Sequence, residues 1–527
     1  MRDFYKKSIN FLDSKKIGII VGILFLLSLL PIIYVGMYNY ATGDDYWYGL
    51  YTHRGWVEHG FIGAIKGAFE TVAIFYKNWQ GTWFTVFLFS LAPSNFVEGT
   101  YWITVFIALG MTIGSFAYLA NYYLVNILNF TRGAMITIVC MISYLGIQYM
   151  YKTTSGLYWF NGVMHYCVPF FLGALAIVHT HKFVREKKKK DYVVLFLAFT
   201  LLGGSSYLAP ITASLTAVLI LLSQIKIRKC EFKNKKFSFD FDKRNLWVLA
   251  ALMAEVVGLL ISFLSPGNSV RGTEEFGFDL KWALECIYYA IDRGIYLGED
   301  YFLKNGVTTM MYVLIFFLLW SQLWRCDREN IKFRYPLFYV VFLNGIYWSS
   351  YTPEIYSRSD VSGGVHNTYL HVFLIVTLGC MIFVHGWAQD KLVVYWKKKA
   401  EKADKSYEEI RDNSIFYEKK YKTYIMAPIL AVGIIILGIV MCFSKVSTTN
   451  KACMEYAKSG RMEQYAQVRQ EQHKILSDEA IEDALVPEMG DQYPLLNMYM
   501  RENADDSRNI DRALYYGKKS VRVYMVE

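Results

Sequence analysis

No charged residue stands between Lys16 and Asp44, and apolar blocks of the same kind recur along the rest of the chain. Most run for about 18 to 25 residues, the length a helix needs to cross about 30 Å of hydrocarbon. They fall at 17–41, near 100–127, 133–151 and 163–182, as two shorter pieces within 192–223, then near 246–264, 307–324, 335–351, 368–388 and 423–443. The pattern predicts an all-α integral membrane protein with about 11 transmembrane helices. The first block is too long for a signal-peptide core and lacks a small-residue cleavage site, so it reads as a retained span.

Between the blocks the periodicity changes. In "WVEHGFIGAIKGAFETVAIFYKNW" (56–79) Lys66, Glu70 and Lys77 fall at helical spacing on one side, with apolar residues opposite. That predicts an interfacial helix lying on the membrane surface. The apolar run 79–91 is short for a crossing and joins the same ledge. "GGSSYLAP" interrupts the 192–223 stretch, which predicts two short helices meeting at a broken backbone that lines a cavity, since lipid does not tolerate unpaired backbone groups. The chain therefore divides into a membrane part, 1–443, and a polar tail, 444–527. Within the first, 42–99 is an external loop with interfacial helices, and the charged segment 391–422 reads as a cytoplasmic helical hairpin. No internal repeat of the kind found in many transporters is visible.

Composition supports this division. Of 527 residues 54% are hydrophobic, 17% aromatic and only 19% charged, a low charge for a soluble domain. The net charge of +10 does not indicate nucleic acid, because the basic residues cluster in short connections: "MRDFYKKSINFLDSKK", "KFVREKKKK" and "KIRKCEFKNKK". By the positive-inside rule these are cytoplasmic. The N-terminus is then inside, the loop carrying Asp44 and Asp45 outside, and the tail extracytoplasmic. The eight cysteines show no CxxC or metal spacing, which argues against a disulfide framework or a zinc site.

Polar residues with candidate chemistry collect on the outer side. They are Asp44 and Asp45, His53 and His59, the stretch "YWFNGVMHY", Asn268 with Arg271, and Arg358 with Glu354 and Asp360. Each has a plain reading. The aspartates suit the capped start of a short helix; Tyr158 and Trp159 suit an interfacial aromatic belt; Arg271 and Arg358 suit ordinary loops; His366 and His371 suit packing. The belt explains Asn161 and His165 less well, four residues apart and so on one helical face. External arginines also run against the positive-inside bias. "SPGN" places exposed backbone donors just before Arg271, and an arginine fork matches phosphate oxygens.

Taken in order, "GDDYW" after the first span, an amphipathic external ledge, "GLYWFNGVMHYCVP", "SPGNSVR", "EIYSRSDVSGG" and the tail motif "NIDRALYYGKKSV" resemble a bacterial branch of the GT-C superfamily of membrane glycosyltransferases. The likeness covers nearly the whole chain. It implies a GT-C-like bundle with external interfacial helices and a small extracytoplasmic C-terminal domain. It also implies transfer of a sugar from a polyprenyl-phosphate donor to an envelope glycan acceptor at the outer face of the cell membrane. Asp44 or Asp45 would be the general base, with a divalent metal left open. Related sequences often carry "W-x-G-R" on the ledge; this chain has "WQGTW", and Thr82 cannot replace a guanidinium.

The residues suit that chemistry. A sugar hydroxyl is a poor nucleophile that a positioned carboxylate activates, and a leaving lipid phosphate needs fixed positive partners. This assigns Arg271 and Arg358 to the donor phosphate, and Tyr158, Trp159, Asn161, His165 and Asn268 to substrate. One base with a phosphate leaving group points to inversion. Between the aspartates, the sequence favours Asp44 as base and Asp45 as cap of the following turn. The competing classes are a transporter or flippase of an amphiphilic envelope precursor, an acyltransferase built on His165, and a non-catalytic envelope scaffold.

Overall fold

The computed structural model describes residues 15–228, 238–240, 242–271, 279–357, 363–444, 446–495 and 498–526. The chain is a nearly all-α membrane protein. Among the described residues seven helices are long and apolar enough to cross a bilayer: Lys15–Gly36, Ile103–Ile127, Phe160–Glu186, Lys243–Phe263, Gly306–Leu323, Gly363–Ala403 and Lys422–Phe443. The other apolar blocks also fold as helices, but shorter ones: Arg132–Gln148, Lys189–Leu202, Leu208–Ser223 and Pro336–Ser349. At 1.5 Å per residue these span about 21 to 26 Å. The outer helices expose apolar rows, Leu24, Leu26, Leu27 and Leu30 on one and Val432, Ile434, Ile435 and Ile439 on another. Such rows are stable only against lipid or another apolar partner.

Long-range hydrogen bonds sort the connections to two ends of the bundle. At one end, Thr131 N–H reaches Gln322, Arg325 reaches Asn129, Arg328 pairs with Asp390, and Lys187 bonds Asn245. At the other, Asn268 accepts from Gly81 N–H, Gly204 from Phe84 N–H and Asn367 from Lys152 N–H, while Thr449 donates to Ile147 and Arg469 to Ala41. The aspartate pair and the tail share this second end.

Three segments differ from the sequence-based expectation. The expected interfacial helix is one arm of a helical hairpin, Asp44–Asn78, whose chain turns at Gly60 with φ of 60°. The arms touch through glycines: a Cβ on Gly63 would lie 2.1 Å from the Gly55 oxygen, and one on Gly67 the same distance from the Tyr51 oxygen. Trp47 and Tyr48 then pack on Phe75. Second, Leu280–Glu299, which the apolar-block pattern leaves unassigned, is an amphipathic helix. It buries Cys286, Ala290 and Gly294 and exposes Leu280, Leu284, Ile287 and Tyr288; Asp292 and Arg293 break the apolar run and hide it from a hydropathy reading. Third, the first part of the 391–422 segment, up to Ala403, continues the span Gly363–Ala403, which at 41 residues is about 60 Å long. It turns back through Tyr407–Asn413.

The tail is not purely helical. Asp483–Glu488 and Ser520–Met525 pair in parallel, joined across the helix Ser507–Tyr516, which Asp506 caps and Gly517 ends at φ of 67°. Leu476, Val486, Met500, Ala513 and Val521 form its core. Its first helix, Thr449–Lys458, packs on Lys15–Gly36, and Ser507–Tyr516 packs on the hairpin.

Candidate active site at the aspartate pair

The helix carrying the aspartates starts at Gly43, whose φ of 53° suits glycine. A side chain there would strike Met498 of the tail, with its Cβ 2.5 Å from the sulfur. Asp45 points inward and is 1% exposed. Its Oδ2 accepts the Thr42 N–H at 2.9 Å and the Tyr101 hydroxyl at 2.6 Å. Its Oδ1 has no hydrogen-bond partner among the described residues. Burial pushes the Asp45 carboxyl up to about 7, against the lowering pull of Tyr101 and Thr42. Asp44, next to it, is half-exposed.

Tyr101 links the pair to the second motif. While it donates to Asp45, its oxygen accepts the Phe160 N–H at 2.9 Å. The next residue, Asn161, is 1% exposed, and neither end of its amide finds a partner among the described residues; the same holds for the Trp159 indole N–H. A buried polar group left unpaired costs about 1–3 kcal/mol, so such a cluster calls for a polar ligand or explains itself by function. His165 is half-exposed, with Nδ1 3.1 Å from the Thr85 hydroxyl. Asn161 and His165 do not extend a regular α-helix, because Val163–Cys167 is a π-helical turn. Tyr158 is a packing residue: fully buried, it donates to the Ile32 carbonyl at 2.9 Å.

The ledge closes one side. Asn268 accepts the Gly81 N–H at 3.2 Å and donates to the Ser262 and Phe263 carbonyls at 2.8 and 3.0 Å, so the "SPGN" turn holds "WQGTW" in place. The Trp83 ring fills the space a side chain on Gly204 would need. The Thr82 hydroxyl and Trp83 indole N–H also lack partners among the described residues. Arg271 ends the helix Pro266–Arg271, but its side chain, like all of Arg358 and Asp360, lies outside the described residues.

The remaining polar residues separate from this centre. His371 is buried between helices, with Nε2 3.1 Å from the Gly146 carbonyl. Glu354 takes the Tyr369 hydroxyl at 2.6 Å and lies 3.4 Å from Arg293, and His366 sits against Tyr151. His53 is the exception, since it stacks on Tyr515 of the tail, which packs on Tyr46 beside the pair; exposed His59 lies 3.9 Å from Glu58. An apolar hollow of about 450 Å³ between Trp320, Trp387, Tyr395 and Phe416 lies at the opposite end of the bundle and offers no comparable chemistry.

The tail supplies groups that the sequence reading did not assign. Arg469 donates to the Ala41 carbonyl and, at 3.2 Å, to the Tyr46 oxygen. The Arg512 guanidinium lies 3.9 Å over the Tyr46 ring. Burial, with Asp44 and Asp506 adding to it, pushes Asp511 up to about 7. The tail motif "NIDRALYYGKKSV", which contains Asp511, Arg512 and Tyr515, was the available signal. Among the described residues no three His, Cys, Asp or Glu side chains converge as metal ligands. The described residues by themselves do not form a ligand set for a divalent ion.

The chain matches no protein-family model and no curated protein.

Proposed function

We propose that this protein is a membrane glycosyltransferase of GT-C type, moving a sugar from a polyprenyl-phosphate donor to an envelope glycan at the outer membrane face. The observation that carries the reading is the Asp45–Tyr101–Phe160 chain, which ties the aspartate pair to the unpartnered amide of Asn161. Carboxylates and unsatisfied neutral donors and acceptors side by side suit a polyhydroxylated ligand. In this reading the seven long helices and the four shorter ones make 11 crossings. The N-terminus and the basic connections are cytoplasmic, and the tail is extracytoplasmic.

The reaction then runs as a single displacement. Asp44, the more accessible carboxylate, takes the proton of the acceptor hydroxyl as its oxygen bonds to the anomeric carbon. The bond from that carbon to the phosphate oxygen breaks, and the electron pair leaves with the polyprenyl phosphate. The configuration inverts. Asp45 does not turn over; held by Thr42 and Tyr101, it sets the loop from which Asp44 projects. Arg271 and Arg358 bind the phosphate as its charge grows.

Comparing the envelope sugars of cells with and without the protein tests this: one sugar substituent should disappear. The break between Lys189–Leu202 and Leu208–Ser223 favours the transporter as the second reading. An unchanged sugar profile with a redistributed lipid precursor would establish it instead. Within the enzyme reading, Arg271→Ala or Arg358→Ala should lower donor use by roughly 30-fold or more, the effect of losing a charged partner of a desolvated phosphate. Lysine should restore only part, because the fork is lost. Near-normal transfer by both alanine variants would reduce them to loop residues.

A further inference from the structure

The tail touches the aspartate loop at several points on both sides of the carboxylates. Met498 fills the space beside Gly43, and its carbonyl accepts the Thr42 hydroxyl at 3.0 Å. Arg469 holds Ala41, before the pair, and Tyr46, directly after it. Arg469 as a residue is 5% exposed. It also donates to Gln472, 2.8 Å away on its own helix, and its faces lie about 6 Å from the rings of Tyr40 and Tyr465.

A buried guanidinium is costly unless its donors are satisfied. Here part of the satisfaction comes from Gln472 and the nearby Glu488 of the tail, and the rest from the loop that carries the aspartates, across 428 residues of sequence. An apolar side chain would seal this contact without that cost, so packing alone does not account for an arginine. We propose that Arg469 is a positioning residue for the aspartate pair: by gripping Ala41 and Tyr46 it fixes the loop that carries both carboxylates and places a permanent positive charge beside them. The tail is then a working wall of the site, not an appended module. What the loop is positioned to do rests on the glycosyl-transfer reading; the grip itself does not.

The test reads Asp45 without any sugar donor. Dicyclohexylcarbodiimide, an apolar reagent, labels protonated carboxyls in apolar surroundings, and mass spectrometry of the full-length protein in detergent follows the Asp45 peptide against pH. The groups that face Asp45 are Asp44, Tyr101, the Thr42 N–H and Arg469. Labelling of the unaltered protein should halve near pH 7. Arg469→Gln keeps hydrogen-bonding capacity but loses the charge, and its midpoint should rise by about half a pH unit or more. Arg469→Lys keeps the charge and should stay at the original midpoint.

Equal midpoints in all three proteins, or the same shift in both variants, would overturn the proposal. Tyr46→Phe covers the case in which the glutamine variant does not accumulate. It removes one acceptor of the grip and leaves the charge, so labelling at pH 6 should quicken about threefold or more as the loop opens. An unchanged rate would also count against the grip. Intact labelling shifts with an unaltered envelope glycan would defeat glycosyl transfer alone, whereas unmoved labelling with a lost glycan would defeat the grip alone.

Discussion

Asp44→Asn should cut sugar transfer by a factor of about 10² to 10⁴, the usual contribution of a positioned general base, while the protein accumulates normally. The asparagine is nearly isosteric but cannot take a proton from the acceptor hydroxyl. Asp44 is half-buried in the first turn of its helix, where a carboxylate's charge is worth about 0.3–1 kcal/mol, small beside the expected loss of turnover. The loss should therefore appear in turnover rather than in yield or melting temperature. Purified variants assayed with a polyprenyl-phosphate sugar decide it. If Asp45→Asn is the inactive variant and Asp44→Asn is not, the roles of the two are exchanged. Full activity in both would end the catalytic reading of the pair.

Asp45 should show itself in the pH dependence of stability. Its carboxyl titrates near 7 when folded, against 3.8 for an ordinary aspartate, because burial disfavours the charged form. A raised folded value means that the folded state holds the proton more tightly. The stabilisation is complete below about pH 4 and is lost as the pH rises through 7. For a shift of this size at a buried site the loss amounts to a few kcal/mol. Asp511, shifted the same way, adds to the same window. The melting temperature in detergent should thus fall between about pH 4 and 7 and level off above. Asp45→Asn, neutral throughout and still able to accept from Thr42 and Tyr101, should flatten that fall and leave the part due to Asp511. An undiminished slope would assign the titration to other groups.

The sequence by itself determined the elements. A run of apolar residues long enough to cross a bilayer has few alternatives to a helix, because backbone groups in lipid must be satisfied within the segment. Each of the 11 apolar blocks accordingly folds as a helix, and the Gly203–Gly204 break stands where "GGSSYLAP" put it. The amphipathic character of 56–79 was legible for the same local reason, but the hairpin was not, since Gly60 turns the chain only because Gly55, Gly63 and Gly67 let the arms meet. That Asp45, Asn161 and His165 carry candidate chemistry was also legible; their partners were not. Tyr101 reaches Asp45 across 56 residues, Asn268 reaches Gly81 across 187, and Arg469 reaches Ala41 across 428. Which aspartate is buried, which amide is left unpaired and which arginine stands beside the loop depend on contacts between segments with no shared local pattern. Those were decided by the tertiary structure, because desolvation and charge act through space and not along the chain.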